Sequence, residues 1–362
     1  MKNIDHEKIF SRLKEYMEVH GISRYEDEVV ALIKKNTAQA NVEYTRDGLG
    51  SLIMTKKSHN QGPKIMISVH MDEVGYIVLD ILENGQLRVQ SVGGVWPNVV
   101  VGSKAKVVTT TGKEYAGIFG HTSIHILEPE KAKKAVTNKD LFVDCGFDNK
   151  KIAVAAGVEI GDKIYIHGPT LRLYNKNLVA GKAMDNRAGI TVLDFIINEL
   201  SNETLPNQTY FVASVQEEVG TRGAKTSVSM INPDVAIAID TTSSYDTYLS
   251  GTGENKLSKG VALRVADRGT LMDPKLIQYF KDLAQKHNIP LYKFVAQGGG
   301  TDAAELQFGR GGVATICLSI PQRYLHSPIG VCDLEDLKNN IVIVVEFLKS
   351  FDQTALDSIK YK

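Results

Sequence analysis

The chain is poor in the residues that would place it outside a reducing compartment. It has three cysteines, Cys145, Cys317 and Cys332, an odd number with no CxxC pair. That argues against a disulfide framework and against a cysteine-ligated zinc site, and predicts structural thiols in a cytoplasmic protein. No run is long enough to cross a bilayer; the longest, such as VAIAI before Asp240, is of strand length. The opening MKNIDHEKIF alternates charge and lacks an apolar h-region, so no secretory signal is expected. There is no excess of either charge: 42 Lys+Arg stand against 42 Asp+Glu. Without a basic surplus or stripe, nucleic acid is not an expected partner, and a membrane is not either. What remains is an ordinary globular composition over 362 residues, 43% hydrophobic and 23% charged, enough for about two domains.

Two textures divide the chain. Up to about residue 73, helical spacing at Ile9, Leu13, Tyr16 and Met17 is followed by Ser23 and Glu26, a possible capping box opening a second helix. VEYT and SLIMTKK then flank Asp47-Gly48 as a hairpin, and KIMISVH (64–70) reads as a buried central strand. From 74 to 166, short β-rich pieces alternate with turns at Asn84-Gly85, Gly93-Gly94, Thr111-Gly112 and Gly161-Asp162, with a possible helix only in IHILEPEKAKKA. This predicts a small inserted barrel or sandwich. From 167 to 362, strand–helix alternation resumes: a helix from Asp185 to Leu200, the strands TYFVASVQ, VAIAID, LYKFVA and VATICLSI, and a long final helix from LEDLKNN. Segments 1–73 and 167–362 are therefore expected to form one discontinuous α/β domain, with helices on both faces of a mixed sheet.

Metal-capable side chains gather at the carboxyl ends of these strands, where open α/β sheets build their sites. His70 and Asp72 follow KIMISV, Glu217 and Glu218 follow TYFVASVQ, Asp240 closes VAIAI, and Asp185 and His326 lie just beyond turn and strand ends. Singly, each has a plainer explanation: a core histidine, an N-cap, a turn aspartate, a solvated acidic pair. Together, so many carboxylates in one place are costly unless cations neutralise them. Histidine with carboxylate and no cysteine suits Zn, Co or Mn. More carboxylates than histidines suits two metals bridged by an aspartate, about 3.5–4 Å apart. The run Gly298-Gly299-Gly300-Thr301-Asp302 lacks the ending of a phosphate loop and fits close approach to a peptide, with Asp302 supporting the site. Arg323 either lines the substrate pocket or pairs with a local carboxylate.

SVHMDEVGY, GKAMDNRAGI, QEEVGTRGA, AIDTT, GGGTDAAE and RYLHSP occur in this order. In order and spacing they resemble the M42 family of metallo-aminopeptidases, which includes glutamyl aminopeptidases and tetrahedral aminopeptidases. The resemblance runs over nearly the whole chain, the inserted segment with SVGGVWP, GIFGH and HILEPE included. It implies a dinuclear metallopeptidase domain interrupted by a PDZ-like dimerisation domain, two divalent ions per chain (Zn or Co, or Mn), a peptide substrate and a dodecamer built from dimers. By the same resemblance His70 and Asp240 belong to one metal, Glu218 and His326 to the other, Asp185 bridges, Asp72 orients His70, and Glu217 is the general base. Many members read Asp-Asp-Arg where this chain has Asp185-Asn186-Arg187, a difference in charge beside the bridging position.

The reading is peptide-bond hydrolysis at the N-terminal residue. A deacylase or carboxypeptidase on the same fold is the nearest alternative. A glycosidase needs carboxylates flanking the bond and no metal, which adjacent Glu217 and Glu218 fit poorly. A non-catalytic shell protein would have no use for so much gathered charge.

Overall fold

The computed structural model describes residues 4–56 and 62–361. Lys57, at the end of the expected strand SLIMTKK, lies outside them. An eight-stranded mixed sheet forms the large layer, in the order Val42–Arg46, Leu52–Lys56, Gln208–Ser214, Lys64–His70, Val235–Ser243, Ala314–Gln322, Val261–Ala266 and Leu291–Val295. The four central strands, Gln208–Ser214 through Ala314–Gln322, run parallel. Their near-continuous burial explains the apolar runs: strands covered on both faces have no solvent side to alternate toward. Helices Met184–Glu199 and Leu334–Ser350 pack against each other and against this sheet, with His6–Glu18 beside both.

Between the strand ending at His70 and the return at Leu178–Gly181, six antiparallel strands close a separate barrel. Its order is Gly75–Ile81, Leu87–Val92, Phe142–Asp144, Glu114–Gly120, Lys104–Val108 and Lys163–His167. Tyr76, Val78, Leu87, Val107, Phe119, Val143 and Ile164 fill it, forming a core distinct from that of the sheet.

Several local expectations are corrected. The Ser23–Glu26 capping box does not form: the helix is Asp27–Asn36, and both side chains bond elsewhere. IHILEPEKAKKA holds one helical turn, Pro129–Ala132, with no buried residue; its charges lack an apolar stripe to dock. Helix Met184–Glu199 is not helical at Asp185 and Asn186, so Asp185 is a turn residue ahead of the regular helix. Strand Val261–Ala266 and helix Lys150–Ala155 escape the sequence reading, and Gln353–Ile359 follows the long helix.

A buried charge cluster ties the two crossings between sheet and barrel together. Glu73, on the outgoing segment, accepts from Lys182 Nζ at 2.8 and 2.7 Å, from Gly21 N at 3.0 Å and from Arg187 Nη2 at 3.4 Å. Arg187, fully buried on the return, donates to the carbonyls of Met71 at 3.0 Å, Tyr16 at 2.7 Å and Val19 at 2.9 Å. Burial pulls Lys182 down to about 8 even with Glu73 beside it. Burial would raise Glu73, but Lys182 and Arg187 outweigh it and hold that carboxyl below its usual range. Glu73→Ala leaves two cations buried without their partner and is expected to cost about 3–5 kcal/mol. The double replacement Glu73→Gln with Lys182→Met, which removes both charges and leaves an amide oxygen to accept from Arg187 and Gly21, should recover part of that loss. Denaturant unfolding of both variants measures the difference.

Candidate metal centre and active site

The parallel strands deliver four of the expected site residues to one end of the sheet. His70 is the last residue of Lys64–His70, Asp240 lies within Val235–Ser243, and Glu217 and Glu218 follow Gln208–Ser214. His326 comes after Ala314–Gln322, and Asp185 after Leu178–Gly181. All six line one cavity of about 540 Å³.

Two donor groups share one carboxylate. His70 Nε2 lies 3.1 Å from Asp185 Oδ1 and 3.3 Å from Asp240 Oδ1. His326 Nε2 lies 3.2 Å from Asp185 Oδ2 and 3.3 Å from Glu218 Oε2. In each triad, His70–Asp185–Asp240 and Asp185–Glu218–His326, the ligand atoms fall within 4.8 Å of one another. Both histidines are held by their other nitrogen. His70 Nδ1 donates to the Asp72 carbonyl at 3.1 Å, and His326 Nδ1 to the Gly94 carbonyl at 2.6 Å. That fixes each Nε2 as the atom free to ligate. Gly94 belongs to the inserted segment, so the barrel supplies part of the site, a role its reading as a turn did not foresee.

The charges are strongly perturbed. Burial depresses both imidazoles, and the facing carboxylates outweigh it. Asp240, Asp185 and Asp72 hold His70 well above the ordinary histidine value; Glu218 and Asp185 push His326 up to about 12. Burial would raise Asp185, but the two imidazoles hold it far below a usual carboxylate. Burial raises Asp240, pushes Glu218 up to about 7, and lifts Glu217 well above its ordinary value, each against the pull of a histidine. Glu218 Oε1 is also buried with no hydrogen-bond partner among the described residues. An orphaned carboxylate oxygen beside two nitrogen–oxygen triads is what a pair of divalent cations would satisfy, and the donor set suits Zn, Co or Mn.

Asp72 has a wider task than orienting His70. Its carboxylate stays 3.6 Å from His70 Nδ1, which bonds the backbone carbonyl instead. Asp72 Oδ1 accepts from Glu217 N at 2.9 Å, and Oδ2 from Glu218 N at 3.2 Å and Ser23 Oγ at 2.6 Å. Asp72 thus clasps the backbone that carries both glutamates. Asn186 turns away from the cavity: Nδ2 donates to the Ile239 carbonyl at 2.8 Å, and Oδ1 accepts from Gly189 N at 3.0 Å. An aspartate there could not make the first of these bonds.

Arg323 and Asp302 are not among the cavity-lining residues. Arg323 takes the plainer option, a bidentate pair with Asp246 at 3.0 and 2.7 Å. Asp302 is buried, and its Oδ2 accepts from Ser68 Oγ at 2.7 Å and Ser214 Oγ at 2.6 Å. The cation on the wall is instead Arg264, missed with its strand. It is fixed by Ser319 Oγ at 3.2 Å, Asp267 Oδ2 at 3.1 Å and the Thr241 carbonyl at 3.3 Å. Its only signal was an arginine inside the apolar run VALRVA. Gly298, Gly299 and Gly300 do line the cavity.

Known proteins give the same picture. The family model described as M42 glutamyl aminopeptidase matches residues 50–343. A glutamyl aminopeptidase of Lactococcus lactis is 30% identical over 355 residues, 98% of this chain and 99% of the relative. The crystal structure of a TET aminopeptidase from a marine sediment Thaumarchaeota archaeon superposes with a TM-score of 0.93 at 34% identity, covering 98% of this chain and all of that one. The Pyrococcus horikoshii TET1 peptidase, which can assemble into a tetrahedron or a large octahedral shell, matches with a TM-score of 0.86 at 30% identity, covering 95% of this chain and 100% of its own. With the motif order, the fold and these matches in agreement, the chain belongs to the M42 glutamyl aminopeptidase family of peptidases.

Proposed function

We propose that this chain removes N-terminal residues from peptides in a reaction that depends on two divalent metal ions. The observation that carries the reading is the pair of triads sharing Asp185, with Glu217 beside them and in neither. His70, Asp185 and Asp240 would hold one ion; Asp185, Glu218 and His326 the other. Bound there, such a pair brings water ionisation near neutral pH and polarises a carbonyl. The chain's own residues do the rest. Glu217 is a half-buried carboxylate on the cavity wall and in neither triad, where it can take the proton of the attacking water and pass it to the leaving amine. The match to the M42 glutamyl aminopeptidase family supports an aminopeptidase over a carboxypeptidase.

Glu217→Gln keeps the shape and removes the base. Metal content should stay near wild type, KM should change little, and kcat should fall about 10²–10⁴-fold, with no rescue by added metal. Glu218→Gln removes a charged ligand, so occupancy should fall and activity should partly return in excess metal. An aminoacyl-anilide panel with metal counting separates the two; exchanged behaviour would exchange the roles, and normal activity in both would remove the pair from the mechanism.

The barrel is proposed as a dimer contact, with the dimers building a dodecamer. The support is its exposed apolar surface, Trp96 at 60% and Ile118 at 55% exposure, together with the shells formed by the Pyrococcus horikoshii relative. Light scattering at micromolar concentration should report a multiple of the dimer mass, and a stable monomer would refute this. Among the described residues no helix is long and apolar enough to cross a membrane, and Cys145, Cys317 and Cys332 are unpaired, which supports a cytoplasmic setting.

A further inference from the structure

The failed capping box has a second use. Glu26 stands at the N-cap position of helix Asp27–Asn36 yet makes no side-chain cap bond there. Its carboxyl, 4% exposed, spends one oxygen on two backbone donors: Arg24 N at 2.9 Å and, 190 positions away in sequence, Gln216 N at 3.1 Å. The next two amides, Glu217 N and Glu218 N, go to Asp72. Three successive N–H groups are therefore held by two buried carboxyls, the concave arrangement in which a turn of backbone binds oxygen.

The turn needs holding. In an extended strand, adjacent side chains point to opposite faces, so Glu217 and Glu218 could not both reach the cavity. The strand stops at Ser214, and Gln216 takes a left-handed conformation at φ 57°, costly for a residue with a Cβ. The Glu217 carbonyl then accepts from Gly220 N at 2.9 Å and Thr221 N at 2.8 Å, closing the turn on its far side. On the near side, the Gln216 N–H donates to Glu26, and Gln216 itself is buried.

We propose that Glu26 is a positioning residue for Glu217 and Glu218, acting through the Gln216 N–H to hold the turn that aims both side chains into the cavity. This rests on the aminopeptidase reading for the meaning of those two roles, and on the geometry alone for the turn. What the turn requires is an acceptor oxygen at that distance, not a negative charge. Gln at position 26 keeps the oxygen. Asp withdraws it by roughly 1.5 Å, one carbon–carbon bond. Met keeps the volume and has no acceptor of use.

The test crosses these variants. Each is metal-stripped for hydrogen–deuterium exchange of the peptide covering 213–222, then saturated with Zn or Co, counted for metal, and assayed on aminoacyl-anilides below its unfolding transition. Glu26→Asp and Glu26→Met are expected to exchange faster in that peptide and to lose kcat by about 10–100-fold with KM little changed. Glu26→Gln is expected to match wild type in both. Wild-type exchange and kcat in the Asp and Met variants would overturn the proposal. So would a Gln variant as impaired as they are, since charge would then be what matters. If the wild type itself releases no N-terminal residue, the functional reading falls, while the exchange contrast still decides whether Glu26 holds the turn.

Discussion

Crowded carboxylates at one end of the parallel central strands are the constraint around which the rest of this molecule is arranged. Asp185, Glu217, Glu218 and Asp240 meet in one cavity where, among the described residues, His70, His326 and Arg264 oppose them. Unneutralised, so much like charge in a buried site would repel itself or take up protons. The raised carboxyls and strongly basic imidazoles are the signature of that conflict. The backbone bends to accommodate it. Ala183, Gln216, Thr221, Tyr324 and His326 all hold positive φ, and all lie at or within two residues of a site group or on the cavity wall. Such conformations cost on the order of 1–3 kcal/mol each and persist where surrounding contacts over-determine them. Here those contacts are visible: Asp72 and Glu26 on the glutamate turn, and Gly94 on His326.

The barrel is consequently more than an appendage to the sheet. Its Gly94 carbonyl fixes the His326 ring, while Glu73, Lys182 and Arg187 lock the outgoing and returning segments to the first helix and its loop. Lys182 stands three residues before Asp185, so the lock that joins the two cores also anchors the approach to the shared carboxylate. The candidate metal site, the domain junction and the strained backbone thus occupy one continuous region.

How much of this was legible in the sequence follows from the range of each interaction. His70 and Asp240 stood out because an apolar run ending in a polar, ligand-type residue marks a strand end by local pattern alone. The alternation of strands and helices, and the β-rich interruption between them, were legible for the same reason. Ser23 and Glu26 misled because a capping box and a tertiary clasp use the same residues: spacing cannot show that a loop 190 positions away offers a better donor. Arg323 is ambiguous in sequence because its partner Asp246 lies 77 positions away, and spacing alone does not show that the supporting carboxylate of Asp302 is held by Ser68 and Ser214. Arg264 was invisible because an arginine in a buried strand is recognisable only once Asp267 and Ser319 are seen to satisfy it. Local order was written in periodicity; long-range polar pairing was not.

The central claim is that one carboxylate, Asp185, serves two cations at once. Counting tightly bound metal per chain in wild type, Asp185→Ala, Asp240→Ala and His326→Ala tests it directly. The account predicts two ions in wild type, one retained when Asp240 or His326 alone is lost, and both weakened together in Asp185→Ala. Two tightly bound ions in Asp185→Ala would contradict it.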